Sequence, residues 1–156
     1  MKINDILYKI KTALSLSNEE IIKAYALASY EMSSQRLDAI LKRRQDKGYE
    51  DATYEELGVF LDGLIVLKRG ESSSKKASEE LALSNNLILK KLRIAMELKE
   101  AELMILFALV DLPLNKRQIG ALFRAENHKN FKLCSDELLM LFLEGLDEFY
   151  YDGEEI

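Results

Sequence analysis

The feature that most limits what this chain can fold into is its own repetition. Laid without gaps on residues 86–147, an offset of 82, residues 4–65 are identical at 17 of 62 positions. The matches concentrate in three places. Ile6-Leu7-x-Lys9 meets Ile88-Leu89-x-Lys91, and Ala26-Leu27 meets Ala108-Leu109. Phe60-Leu61-Asp62-Gly63-Leu64 meets Phe142-Leu143-Glu144-Gly145-Leu146. Other pairs keep apolar character: Ile10/Leu92, Tyr25/Phe107, Leu37/Ile119, Ile40/Leu122 and Tyr49/Phe131. Self-similarity at a fixed spacing means one supersecondary unit used twice. The chain therefore divides into copy 1 (1–70), a polar linker (71–85), copy 2 (86–151) and an acidic tail (152–156).

The unit reads as helical. The whole chain has one Pro and seven Gly in 156 residues, too few breakers for a turn-rich β fold. In each copy the apolar spacing predicts four helices. The first is expected to start at Asn4 or Asn86 as N-cap and to bury Ile6, Ile10, Ala13 and Leu14. Ser17-x-x-Glu20 is a capping box opening the second helix, and Thr53-x-x-Glu56 is another opening the fourth, with Ser135 as counterpart in copy 2. Ser33 and Asn115 sit at matching positions ahead of the third helix. Leu27, Phe60, Leu61 and Leu64, with Leu109, Phe142, Leu143 and Leu146, are the expected core. Gly63 and Gly145 lie inside the fourth helices, where Gly costs about 1 kcal/mol against Ala. Their recurrence predicts a close helix approach, most simply of the two fourth helices across a twofold axis. The expected fold is all-α: a tandem duplication of a four-helix unit with approximate internal twofold symmetry.

Composition narrows the setting. A single cysteine, Cys134, excludes an internal disulfide and suits a reducing compartment. The longest apolar run, Leu103 to Val110, is far shorter than the roughly 20 residues a membrane helix needs. Asp5 interrupts the place where a secretory signal would be apolar. These observations predict a cytoplasmic protein without membrane contact.

Catalytic signatures are absent. There is no glycine-rich phosphate loop, no Cys-x-x-Cys and no Glu-x-x-His, so no cofactor or metal is expected and no enzyme activity. His128, the only histidine, falls in the loop between third and fourth helices opposite Asp46, where a solvated side chain is the ordinary reading. Cys134 precedes the cap Ser135, near a helix N-terminus that would favour a thiolate. A small residue closing a loop onto the core is the ordinary reading there.

Charge is the remaining signal. Arg36, Lys42, Arg43, Arg44 and Lys47 gather on the third helix of copy 1 and just beyond it. Lys116, Arg117, Arg124, Lys129 and Lys132 occupy the matching stretch of copy 2. A basic third helix behind a second helix is the arrangement of a helix-turn-helix. Against it stand a net charge of −5 and a turn, Ser29-Tyr30-Glu31-Met32, without glycine. A solvated helix face is the ordinary reading.

Asn85-Asn86-Leu87-Ile88-Leu89-Lys90-Lys91-Leu92-Arg93-Ile94-Ala95, the Phe-Leu-x-Gly-Leu ending of each copy and Lys68-Arg69-Gly70 together resemble the YehS-like family, bacterial cytoplasmic proteins of unknown function with a duplicated domain. The resemblance covers nearly the whole chain. It implies a bacterial origin and a duplicated helical architecture, and it transfers no catalytic or binding residue. Copy 1 departs from copy 2 within these stretches, with Asp5 opposite Leu87 and Tyr8 opposite Lys90. The expected function is a non-catalytic interaction or regulatory module with a macromolecular partner, a protein sooner than a nucleic acid. The alternative is a nucleic-acid-binding regulator using the third helices. A small-molecule site in a cleft between the copies is a third reading.

Overall fold

The computed structural model describes residues 2–70 and 83–151. The sequence-predicted linker, apart from its last three residues, and the acidic tail lie outside them. Among the described residues there are eight helices and no strand. Copy 1 holds α1 (Ile3–Ala13), α2 (Asn18–Leu27), α3 (Ser34–Leu41) and α4 (Tyr54–Arg69). Copy 2 holds α5 (Asn85–Met96), α6 (Glu100–Ala108), α7 (Lys116–Phe123) and α8 (Asp136–Tyr150).

The helices start where their caps place them. Ser17 and Glu20 form a reciprocal capping box, as do Thr53 and Glu56. Ser33, Asn115 and Ser135 each accept an amide at their helix N-terminus. A cap of this kind contributes about 1 kcal/mol. The turns that follow the first and second helices use left-handed residues at matching positions: Ser15 and Glu97, then Ser29 and Asp111. Behind each of these, a reversed bond closes the helix end, from the amides of Leu16, Leu98, Tyr30 and Leu112 to the carbonyls of Lys11, Arg93, Tyr25 and Phe107.

Asn4 and Asn86 are not caps. Lys2 precedes α1 and Ser84 caps α5, so each Asn is the second residue of its helix. There its side chain does something else. Asn4 donates to the carbonyls of Ile40 and Glu50, both at 2.9 Å, and accepts from the Ala52 amide at 3.0 Å. Asn86 repeats all three bonds with Leu122, Lys132 and Cys134, at 3.0, 2.9 and 2.9 Å. One amide side chain thus pins the loop between third and fourth helices onto the first helix in each copy.

The core runs through both copies. Tyr25 packs on Phe60 with ring centroids 5.7 Å apart, and Phe107 on Phe142 at 5.8 Å. Phe60, Leu61, Leu64, Phe142, Leu143 and Leu146 are buried as expected. Leu27 is only half-buried, and Leu109 is 47% exposed, because this side of the second helix faces outward in both copies.

Gly63 and Gly145 do mark a close approach, but by the second helix of their own copy. A Cβ on Gly63 would overlap the carbonyl oxygen of Ala24 in α2. One on Gly145 would lie 2.5 Å from that of Leu106 in α6. Ala24 and Leu106 are themselves a repeat pair. The copies join differently: α4 packs on α5, and α8 packs on α1. These two contacts interchange under the 82-residue offset, which is the approximate twofold. Lys91 bridges to Asp62 across this seam, and Arg69 pairs with Glu97 at 3.0 Å while donating to the Ile94 carbonyl.

Candidate binding surfaces

The cations that the sequence places on the third helices and just beyond them fall mostly beyond. Of the copy 1 set, only Arg36 lies within α3, where it is half-buried; the exposed positions of α3 are Ser34, Gln35 and Asp38. Lys42, Arg43, Arg44 and Lys47 stand exposed on the loop beyond it. In copy 2, Lys116 and Arg117 occupy the first turn of α7, while Arg124, Lys129 and Lys132 follow its end. A recognition helix carrying its cations into a groove is therefore not what α3 presents. The helix stops at Leu41, where the Asn4 anchor draws the chain into a loop, so most of the copy 1 cations stand just beyond it.

Arg36 has a structural task. Its Nε and Nη2 grip both oxygens of Glu56 at 2.8 and 2.9 Å, its Nη1 reaches Glu50 at 2.6 Å, and Nη2 also donates to the Asp51 carbonyl. Glu56 is buried and also accepts the Thr53 amide at 2.9 Å. Burial alone would push its carboxyl up. The Arg36 guanidinium and the Thr53 amide outweigh that and hold it below the usual glutamate value. Tyr25 adds its hydroxyl to the Glu56 carbonyl at 2.9 Å.

Copy 2 has none of this network. Gln118 replaces Arg36, Leu138 replaces Glu56, Lys132 replaces Glu50 and Phe107 replaces Tyr25. In its place is an open groove of about 490 Å³ walled by Leu112, Leu114, Leu122, Leu138 and Leu141, with Gln118, Lys132 and Glu137 at the rim. The change continues onto α6. Ala101, Ile105, Ala108 and Leu109 fall on one helical stripe and are all exposed, Ile105 at 52%. Their copy 1 counterparts are Glu19, Lys23, Ala26 and Leu27. A helix apolar all round belongs in an interior; α6 has one half in the core and the other uncovered.

Copy 1 carries a different hollow, about 570 Å³, between α1 and the loop that follows α3. Lys2, Lys9, Lys42, Arg43 and Arg44 border it, against Asp5 and Asp46. A smaller hollow of about 110 Å³ lies where Tyr8, Lys9 and Thr12 of α1 meet Leu143, Glu144 and Asp147 of α8.

His128 and Cys134 do not come together into a site. The His128 ring is exposed, its Nδ1 accepting from the Asn130 amide at 2.9 Å. Cys134 is buried, and burial first, then Asp136, pushes its thiol up to about 11. The nearby helix N-terminus does not offset that. Among the described residues, no three His, Cys, Asp or Glu side chains are grouped to hold a metal ion, and no helix is long and apolar enough to cross a membrane.

Comparison with known proteins decides the family. A family described as "Protein of unknown function (DUF1456)" matches residues 4–70 and again residues 85–150. The chain belongs to this family. It is also similar to "Uncharacterized protein YehS" of Escherichia coli (strain K12), 35% identical over 144 residues that cover 92% of each chain. No solved structure matches it. The double match places the duplication at the level of the family domain, with one complete four-helix unit per match. Differences between the two copies therefore separate what the DUF1456 unit needs to fold from what each copy adds. The Asn anchor, the left-handed turns and the fourth-helix glycine recur in both. The ion-pair network, the basic hollow and the apolar α6 face each occur once.

Proposed function

We propose that this chain is a non-catalytic bacterial cytoplasmic module that acts by binding a partner protein through the outer face of copy 2. The observation that carries this is the uncovered half of α6. Ala101, Ile105, Ala108 and Leu109 are exposed on α6, and Leu112, in the turn that follows this helix, walls the leucine-lined groove. An isolated exposed leucine needs no explanation, but a continuous apolar stripe and groove mark an interaction surface. The same positions in copy 1 include Glu19 and Lys23 on an equivalent backbone, so the fold does not require apolar side chains there. A stripe at i, i+4, i+7 and i+8 beside a groove suits the apolar face of an amphipathic helix. Lys132 at the rim favours an acidic flank on that helix. A lone, buried thiol suits a reducing compartment.

The test installs copy 1 chemistry on copy 2. Ala101→Glu with Ile105→Lys should leave the melting temperature unchanged, because both positions are exposed. Tagged wild-type and variant chains are passed over lysate of the source organism with nuclease present. The expected result is one protein retained in stoichiometric amount by the wild type and lost by the variant, with affinity for the purified partner reduced over tenfold, about 1.4 kcal/mol. Equal retention by both overturns the reading. So does sedimentation showing a dimer that the substitutions dissolve, which would make the occupant a second copy of this chain.

A further inference from the structure

The basic hollow of copy 1 has no part in the α6 surface, and its cations exceed what the fold uses. Two of its five bordering cations are engaged: Lys2 with Asp51 at 2.7 Å, and Arg43 with Asp46 at 3.8 Å. Lys9, Lys42 and Arg44 form no ion pair among the described residues. Three cations without an ion pair of their own, with Asp5 and Asp46, thus border a hollow of about 570 Å³ in a protein whose net charge is −5. Ile40, Leu41 and Met140 give it an apolar floor. Tyr8 stands at its edge, 54% exposed, and the Tyr49 ring lies inside with the Lys2 ammonium 5.8 Å from its centroid.

Copy 2 shows that these side chains are not needed to build the loop. The Asn86 anchor holds the same backbone, yet Ser84 stands for Lys2, Lys90 for Tyr8, Ala125 for Arg43 and Glu126 for Arg44. Lys91, the counterpart of Lys9, is tied to Asp62. Lys42 keeps a cation, Arg124, as its counterpart, so what is peculiar to copy 1 is Lys2, Arg43, Arg44 and the exposed Tyr8.

We propose that this hollow binds a nucleotide unit, its phosphate held by Lys9, Lys42 and Arg44 and its base stacked on the exposed ring of Tyr8 over the apolar floor. Cations alone would serve any anion. An accessible aromatic ring beside them is the combination that holds single-stranded nucleic acid, because every base has a face to stack. The volume lies within the range of small-ligand pockets and exceeds what a bare phosphate needs. A free nucleotide and one residue of a single strand present the same chemistry here.

Fluorescence anisotropy separates them. Labelled oligouridylate and oligoadenylate of about 12 nucleotides are titrated with the full chain across a salt series, with unlabelled adenosine monophosphate as competitor. Binding is expected, with a logarithmic salt slope near −0.7 per phosphate contact. Lys42→Ala with Arg44→Ala should weaken it at least tenfold and reduce the slope by about 1.4. Tyr8→Ala should weaken it while Tyr8→Phe does not. Ala101→Glu with Ile105→Lys should leave it untouched, so this site and the α6 surface stand or fall separately. Full displacement by millimolar monophosphate identifies a free nucleotide as the ligand; strand binding that the monophosphate does not displace identifies a single strand. The proposal is overturned if neither strand nor monophosphate binds at low salt, or if the Lys42/Arg44 variant binds as wild type. Equal binding by Tyr8→Ala overturns the base-stacking role and leaves only an anion site.

Discussion

The carbonyl oxygen of Ala24 occupies the place where a side chain on Gly63 would begin. Its repeat counterpart, the Leu106 carbonyl, stands 2.5 Å from the corresponding point on Gly145. The second and fourth helices of each copy therefore touch backbone to backbone. Replacing Gly63 by Ala should raise helix propensity by about 1 kcal/mol yet lower stability overall, because a backbone oxygen cannot rotate away. Overpacking of this kind costs about 1–3 kcal/mol or more. Gly58 on the same helix has nothing within 4 Å of its missing Cβ. Gly58→Ala should be neutral or stabilising by up to about 1 kcal/mol. Thermal melts check the pair, since 1 kcal/mol moves a chain of this length by about 2–4 °C. A Gly63→Ala melt at or above wild type would show that α2 and α4 can part without cost.

The Asn4 and Asn86 side chains each satisfy two carbonyls and one amide at the end of the third helix and in the loop beyond it. Asn4→Ala leaves these groups without partners, at a cost of about 2–3 kcal/mol. Asn4→Asp should not rescue it, because a carboxylate can accept from Ala52 but cannot donate to Ile40 and Glu50. Denaturant unfolding gives the stability, and hydrogen exchange at the Ala52 amide should speed up in Asn4→Ala. Unchanged protection at Ala52 would mean that the loop holds itself.

Arg36 and Glu56 form an extended ionic network in copy 1, and copy 2 shows its apolar replacement. Removing one partner, as in Arg36→Gln, leaves a buried carboxylate short of donors and should cost about 2–3 kcal/mol, given that Arg36 is partly solvated. The double change Arg36→Gln with Glu56→Leu installs the copy 2 pair and should recover most of that loss. Glu56 also sets a pH dependence. Its folded value lies below its unfolded value of about 4.3. Its stabilisation is therefore complete above that pH and is lost as pH falls through the folded value. Melts between neutral pH and pH 3 should show a steeper acid loss in wild type than in the double variant. Parallel curves would remove Glu56 as a source of acid sensitivity.

The duplication and the helix order were legible because caps and apolar spacing are local signals that occur twice. Ser17 with Glu20, Thr53 with Glu56, Ser33, Asn115 and Ser135 all act as read. Asn4 was legible as important but not in its role, since an Asn near a helix start resembles a cap until its distant partners are known. The turns at Ser15, Ser29, Glu97 and Asp111 gave no warning, because left-handed positions are read from glycine and none is present. The basic residues were visible as clusters, but their placement on a loop depends on where α3 ends. The apolar α6 face was present in the run Leu103 to Val110, which has no clear helical face of its own. Setting Ala101 and Ile105 against Glu19 and Lys23 would have exposed it from sequence alone.

Cys134 offers a last check on how the loop closes onto α8. Its thiol is buried and pushed up to about 11, chiefly by desolvation and further by Asp136, while Lys132 pulls the other way. Thiolate is the reacting form, so at pH 8 roughly 0.1% would be available in the folded chain against about a tenth at the ordinary value of 9.0. Alkylation of the native protein should therefore be about 100-fold slower than in the urea-unfolded chain, before any steric shielding is added. Asn86→Ala frees the Cys134 amide that the anchor holds at 2.9 Å, and should raise the native rate without changing the unfolded one. Native and unfolded rates within a few-fold of each other would mean that this loop opens readily, and that Asn86 does not seal it.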